Sequence, residues 1–320
     1  MMSFSSTLKI EVAKALPNGT DEALAMLSAI IKTSGEISIS MGKPSVQIFT
    51  EIDEVSTLVE IIIQNLYGMP VQKQVSKSNF SNTKRFELTI PQDISKQVLL
   101  DTEVMHFDEE KYLTFVYGIS KYWWQDESVE LAFLKGAFMG AFSCNISVGE
   151  VQKKHDSGYH AEFVFSNEAF AQDFCFLLAD FDIISKMTPR KNSFVVYVKG
   201  LDMVCDLLAV VGATQGMLKL QNESVVRSIK NNVNRQNNCI SANLTKTVDA
   251  SIREMDAINT IIKTIGIESL SPSLQEACNL RLANPEESLD SLVHLSVSPI
   301  TKSGLYHRLK NIEKIAEKLK

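Results

Sequence analysis

The chain has 320 residues, a formal net charge of −6, 45% hydrophobic residues and 22% charged residues. That is the composition of a globular chain long enough for two domains. No apolar run reaches the roughly 18 residues of a membrane span, so no membrane partner is expected. Five cysteines (Cys144, Cys175, Cys205, Cys239, Cys278) stand at wide, irregular spacing without a CxxC. Buried free thiols in a reducing cytoplasm are therefore expected rather than a disulfide framework. The charge is unevenly spread: residues 221–320 hold 13 Lys+Arg against 11 Asp+Glu, a balance of +2, which leaves −8 for the rest. A polyanion partner belongs at the C-terminal end.

The opening "MMSFSSTLKIEVAKALPNG" is amphipathic but lacks the ordered basic, apolar and small-residue regions of a signal peptide. Residues 21–40, "DEALAMLSAIIKTSGEISIS", place Leu24, Leu27, Ile30 and Ile31 at helical spacing. A cap near Thr20 and a stop at Gly35 bound this helix, and a short alternating segment follows. A strand over 45–52, a helix over 55–68 stopped by Gly68, a strand over 84–90 closed by Pro91 and a further helix come next. The same order then returns: helix 128–147, strand 159–166, helix 168–181, strand 191–200, helix 201–212. Leu27 matches Leu134 at an offset of 107 and Phe86 matches Phe194 at 108. The fold class expected is therefore α+β, two pseudo-symmetric α-β-β-α-β-β-α repeats over about 20–105 and 128–212, within a domain spanning 1–215.

The second copy opens with "FLKGAFMGAFS" (133–143), which carries Gly136 and Gly140 with Ala137 and Ala141. Each helical glycine costs about 1 kcal/mol relative to alanine, so two on one face need a reason. Ser28 and Ala29 occupy comparable places in the first copy, and the reading adopted is a close crossing of the two helices. The alternative is a loosened core helix.

"LSAIIKTSG" (27–35) and "LKGAFMGAF" (134–142) resemble the paired LAGLIDADG helices of homing endonucleases. That resemblance implies a metal-binding acid at the base of each helix. Here those positions fall on Ser34 and Ala141, which offer no carboxylate to Mg²⁺. Glu36 lies two residues on, but its counterpart is Ser143. No catalytic residue and no metal ligand are therefore assigned, and the scaffold is expected to have outlived the nuclease. The N-terminal segment, "VRSIKNNVNRQNNCISANLTKTVDA" (226–250) and "SPITKSGLYHRLKNI" (298–312) together resemble the WhiA family. That resemblance implies a degenerate homing-endonuclease domain, a C-terminal helix-turn-helix, double-stranded DNA as partner, and control of cell division or sporulation. It further implies a cytoplasmic, nucleoid-associated protein, with RNA polymerase or another regulator (a WhiB-like protein in some bacteria) as further partners.

Residues 216–266 read as polar and basic linker helices. Arg227, Lys230, Arg235 and Lys246 are interleaved with Asn231, Asn243 and other asparagines. Such groups donate to phosphates or base edges, though a plain connecting helix accounts for them equally well on residue type; the resemblance favours nucleic acid or docking between the domains. A stripe of Ile252, Met255, Ile258, Ile261, Ile262 and Ile265 needs a partner surface. Residues 267–320 read as a three-helix helix-turn-helix domain. "SPSLQEACNLRLA" (271–283) and "NPEESLDSLVHL" (284–295) each open on a cap followed by proline, and "SVSPI" turns the chain. In the last helix (301–320) Leu305, Leu309, Ile312, Ala316 and Leu319 form one buried face. Lys302, Ser303, Tyr306 and His307 are assigned as base-proximal, and Arg308 and Lys310 as phosphate contacts.

Two rival functions remain open in the sequence: a metal-dependent LAGLIDADG-type endonuclease, and an interaction protein that docks on transcription machinery. No cofactor is expected, because the P-loop, GxSxG, HExxH and dinucleotide-glycine motifs are absent. His155 and His160 flank Asp156 but read as surface groups rather than a zinc site.

Overall fold

The structure, a computed structural model, describes residues 2–77, 84–144 and 159–319. It divides into two units, Met1–Val225 and Val226–Lys320. The first unit starts with α1 (Phe4–Ala13), where the Ser3 hydroxyl accepts the N–H of Ser6 and so caps the first turn. The first repeat follows as α2 (Gly19–Ser34), β1 (Gly35–Ser40), β2 (Lys43–Thr50), α3 (Asp53–Tyr67), β3 (Gln72–Lys77), β4 (Lys84–Thr89) and α4 (Gln92–Asp101). Gly68 stops α3 at φ 68°, the left-handed conformation that glycine adopts without penalty. A hairpin of β5 (Met105–Phe107) and β6 (Leu113–Phe115) leads to the second repeat. That repeat comprises α5 (Glu127–Ala141), β7 (Phe142–Cys144), β8 (His160–Phe165), α6 (Glu168–Asp180), β9 (Lys186–Arg190), β10 (Ser193–Lys199) and α7 (Leu201–Val210).

The two antiparallel sheets have the same order, β1-β2-β4-β3 and β7-β8-β10-β9. The duplication read from the sequence is thus a duplication of topology. Two strands carry no pattern readable in the sequence, β3 and β9; both are polar edge strands, "QKQVSK" and "KMTPR". Edge strands of this kind carry charge to discourage further pairing, and they lack the alternation that marks a half-buried strand.

Helices α2 and α5 form the seam between the repeats. A Cβ on Gly136 would lie 2.3 Å from the Met26 carbonyl oxygen and 2.9 Å from the Ala29 Cβ. One on Gly140 would lie 1.8 Å from the Thr33 hydroxyl. Gly136 is therefore required by the crossing helix backbone and Gly140 by the Thr33 side chain; of the expected Ser28–Ala29 pair, Ala29 is a contact, with Met26 and Thr33 the others. The surrounding core is aliphatic in the first repeat and aromatic in the second. There Phe138 stacks on Phe142 at 4.0 Å, and Phe163 sits 4.7 Å from Phe174.

The second unit is helical. One helix, α8 (Thr214–Thr264), runs through the 216–266 region read as linker helices and across the boundary between the units. Its start is capped from α1, where the Glu11 carboxylate accepts the N–H groups of Gln215 (2.6 Å) and Gly216 (3.0 Å). Helices α9 (Pro272–Ala283), α10 (Leu289–Leu295) and α11 (Lys302–Leu319) follow. Ala257, Ile258, Ile261, Cys278, Leu292, Leu305, Leu309 and Ile312 are among its core residues.

Three expectations are corrected here. The stripe on α8 holds in part: Ile258 and Ile261 are buried, but Ile252, Ile262 and Ile265 are exposed, and Ser251, Glu254 and Ala257 complete the buried face. Polar residues hold core positions because Arg281 pairs with Glu254 at 2.8 Å, both essentially buried. Helix α10 starts at Leu289 behind a Ser288 cap, not at Asn284–Pro285. The carbonyls of that segment are engaged sideways: Arg281 donates to the Glu287 oxygen at 2.7 Å, and the Ser251 hydroxyl donates to the Pro285 oxygen. Among the cysteines, Cys205 and Cys278 are buried but Cys239 is exposed on α8. No helix of the described residues is long and apolar enough to cross a membrane.

Candidate nucleic-acid interface

At the base of the seam, α2 ends on Ser34 and α5 on Ala141, and each chain turns into the first strand of its sheet. Ser34 donates its hydroxyl back to the Ile30 carbonyl at 2.9 Å, a local bond within the helix. Ala141 brings a methyl group to the matching position. Glu36 pairs in register with Gln47, and Ser143 with Glu162. Among the described residues no group of three acidic, histidine or cysteine side chains converges. His155 and Asp156 lie outside the described residues; His160 opens β8.

Two desolvated lysines flank this region. Lys32 donates to the carbonyls of Val116 and, at 3.1 Å, Gly118. Burial pushes its ammonium down to about 8, against the opposing pull of Asp173. Burial likewise pushes Lys9 down to about 8, opposed by Glu51. The outer faces of the sheets differ in charge. On the first, Gln47 donates to Glu87 at 3.0 Å, with Glu36 nearby and Arg85 the basic group. On the second, Glu162 faces Arg190 at 3.9 Å, with Lys186 and Lys199 alongside. With Lys43 in register on the same side, the first face balances two acids against two bases, and the second is net basic.

In the second unit the predicted base-proximal residues share one surface. Leu305, Leu309, Ile312 and Ala316 turn α11 inward. Lys302, Ser303, Tyr306 and His307 are exposed on its first two turns. Thr301 caps α11, its hydroxyl accepting the Gly304 N–H at 3.1 Å. Tyr306 meets His307 edge to face at 5.6 Å. Lys302 pairs with Asp290 of α10, and both side chains remain well exposed. The two expected phosphate contacts are half-buried and engaged within the chain. Arg308 binds Glu276 of α9 at 3.1 Å, and Lys310 binds Glu313. The Ser298 hydroxyl, and then Arg308, hold Glu276 below the usual carboxylate range.

On α8, Lys230, Asn231, Arg235, Asn243 and Lys246 are exposed and Arg227 is half-buried. At about 100° per residue, Arg227, Asn231, Arg235 and Lys246 share one face and Lys230 borders it. Asn243 borders it on the other side and donates to the Cys239 sulfur at 3.7 Å. Two features had no clear sequence signal. The Glu254–Arg281 pair lies 27 residues apart, and Lys9 becomes notable only once α1 folds against the seam. Ser5 of α1 marks that docking, its hydroxyl accepting the Cys144 N–H at 2.9 Å.

Three family models match the chain: "WhiA N-terminal LAGLIDADG-like domain" over residues 20–105, "WhiA LAGLIDADG-like domain" over 131–230, and "WhiA C-terminal HTH domain" over 233–316. "Probable cell division protein WhiA" of Thermoanaerobacter sp. (strain X514) is 36% identical over 322 residues, covering 100% of this chain and 98% of the relative. A protein of the same name from Clostridium beijerinckii is 35% identical, covering 100% and 99%. Among solved structures, full-length DUF199/WhiA from Thermatoga maritima is 23% identical, with a TM-score of 0.56 and 99% coverage of both chains. That likeness concerns the fold.

Proposed function

This chain belongs to the WhiA family, and from that membership we propose that it is a sequence-reading, double-stranded DNA-binding transcriptional regulator without nuclease activity. The observation that carries the reading is α11: its apolar face is buried against α9 and α10, and Lys302, Ser303, Tyr306 and His307 stand exposed on its first turns. A helix held this way presents its N-terminal side chains to the major groove. Phosphate contacts at Arg308, Lys310 and along the α8 face with Arg227, Lys230, Asn231, Arg235 and Lys246 fix the register; Asn243 contributes from the flank. For Arg308 and Lys310 this requires exchanging Glu276 and Glu313 for phosphate oxygens.

The absence of nuclease activity rests on Ser34 and Ala141. An oxygen already bonded to its own helix and a methyl group leave Mg²⁺ without the paired carboxylates that in-line phosphodiester cleavage needs. The process served is cell division, as the relatives' names indicate, with sporulation in hosts that sporulate, and the protein acts at the nucleoid. Mapping chromosomal DNA bound in cells tests the reading. Discrete sites are expected for the wild type, and their loss when Tyr306 and His307 are both replaced by alanine. Unsorted binding, or plasmid cleavage on addition of Mg²⁺, contradicts it.

A second reading, docking on RNA polymerase or a WhiB-like regulator, draws on a different surface. Leu295 is 51% exposed and Val297 99% exposed beside a cavity of about 510 Å³ between α9 and the turn before α11. Apolar groups this open fit a protein contact better than a groove of DNA, and the two roles are compatible.

A further inference from the structure

Between α1, the end of β2 and the end of α5 lies a cavity of about 480 Å³ in the first unit. Lys9, Glu51, Arg85, Met139, Phe142 and Ser143 are among the residues that line it. We propose that this cavity binds a small organic phosphate that also carries a hydroxyl or amino donor. Its phosphate sits between Lys9 and Arg85, its donor faces Glu51, and its apolar body lies against Met139 and Phe142.

The two cations are the starting point. Among the described residues neither Lys9 nor Arg85 forms an ion pair. Arg85 is held by the ring of Phe49 at 4.4 Å, which leaves guanidinium N–H groups available to an acceptor. Lys9 makes no hydrogen bond among the described residues although its ammonium is largely removed from water. Burial outweighs the pull of Glu51 on this ammonium, a net penalty that an anion in the cavity would reduce. Hydroxyls surround the same space: Ser3, Ser6 and Thr50 line it with Ser143. The positive end of α1 faces in with no acidic residue in its first turn, which adds to the field.

Glu51 sets the class of ligand. Its carboxylate opposes a bare polyanion, including a DNA backbone, and accepts from a hydroxyl or amino group on the same molecule. Phe142 and Met139 are almost fully buried and close the other side with apolar surface. The volume falls in the range of small-molecule sites, about 300–1,000 Å³. Nothing in the assignment of DNA reading to α11 depends on this cavity.

Calorimetric titration of the full-length protein with ribose 5-phosphate, adenosine 5′-monophosphate and inorganic phosphate tests the proposal. At least one of the two organic phosphates should bind saturably, with one site per chain and more tightly than inorganic phosphate. Lys9→Gln and Arg85→Gln should each weaken it by about tenfold or more, the usual consequence of removing one partner of a charged hydrogen bond. Ser143 is exposed at the cavity, and Ser143→Asp should weaken binding by charge, with circular dichroism and Tm checking the fold because the new carboxylate faces Glu162 across the β7–β8 pair. The proposal is overturned if none of the three probes binds saturably up to about 10 mM, a range that covers millimolar affinity. It is equally overturned if binding survives unchanged in both Arg85→Gln and Ser143→Asp. A third adverse result is weaker duplex DNA binding by these variants with no small-ligand binding in the wild type, which would make the cavity a backbone-phosphate contact.

Discussion

Replacing Gly136 by alanine should destabilise the first unit, although on propensity alone the change favours the helix by about 1 kcal/mol. The new methyl would sit 2.3 Å from the Met26 carbonyl oxygen and 2.9 Å from the Ala29 Cβ. An ordinary contact needs about 1 Å more than the first of these, and the obstacle is backbone, so no side-chain rotation relieves it. Helices α2 and α5 must part along their crossing. Overpacking of this kind costs about 1–3 kcal/mol, and a backbone clash belongs at the upper end. After the propensity gain, a net loss of about 2 kcal/mol remains, or about 4–8 °C in Tm for a unit of this size. Both tryptophans of the chain, Trp123 and Trp124, lie in the first unit, and Trp123 is buried. Their fluorescence in thermal and urea unfolding therefore reports that unit. Gly140→Ala is the internal control: its nearest obstacle is the Thr33 hydroxyl at 1.8 Å, with the Thr33 Cβ at 2.8 Å, so adding Thr33→Ala should recover part of its loss. Equal or greater stability of Gly136→Ala would refute the close crossing.

Three further outcomes follow from the structure. Arg281→Ala leaves the Glu254 carboxylate buried without its partner and should cost the second unit about 3–5 kcal/mol, whereas Glu254→Leu with Arg281→Met should be near neutral; hydrogen exchange of the amides around Ile258 and Ile261 reads both. Lys32 has a folded pKa of about 8 against 10.5 for the free side chain. Between those values the folded state binds fewer protons than the unfolded, so stability relative to Lys32→Met should rise from about pH 8 towards 10.5. A flat difference in urea midpoints across that range would contradict the burial of Lys32. Asp290→Ala frees Lys302 from its pair and should tighten DNA binding in a gel-shift titration.

The duplication was legible because Leu27 and Leu134, or Phe86 and Phe194, repeat within periodic segments that fold locally. The α11 face was legible for the same reason: five apolar residues at helical spacing fix which side is buried. The strands β3 and β9 were not, since polar edges resemble loops. The α8 stripe was misread in part because Glu254 and Ser251 occupy core positions. Only the distant Arg281 guanidinium and Pro285 carbonyl make those positions tolerable, and no local pattern announces them. The seam glycines were recognised, but their partners depend on how the helices cross. The cavity beside Lys9 needs α1, β4 and α5 together, so it exists only in the tertiary structure.

The central claim, that α11 reads DNA, is tested most directly by the salt dependence of binding to a mapped site, measured by fluorescence anisotropy for the wild type and Arg308→Ala. The account predicts weaker binding and a slope of log affinity against log salt smaller by about 1, the signature of one lost phosphate-proximal charge. With Tyr306→Ala and His307→Ala the slope should hold while preference for the mapped site over a scrambled duplex falls by about 1–3 kcal/mol per lost base contact. Unchanged affinity, slope and preference in all three variants would contradict the assignment of DNA reading to this helix.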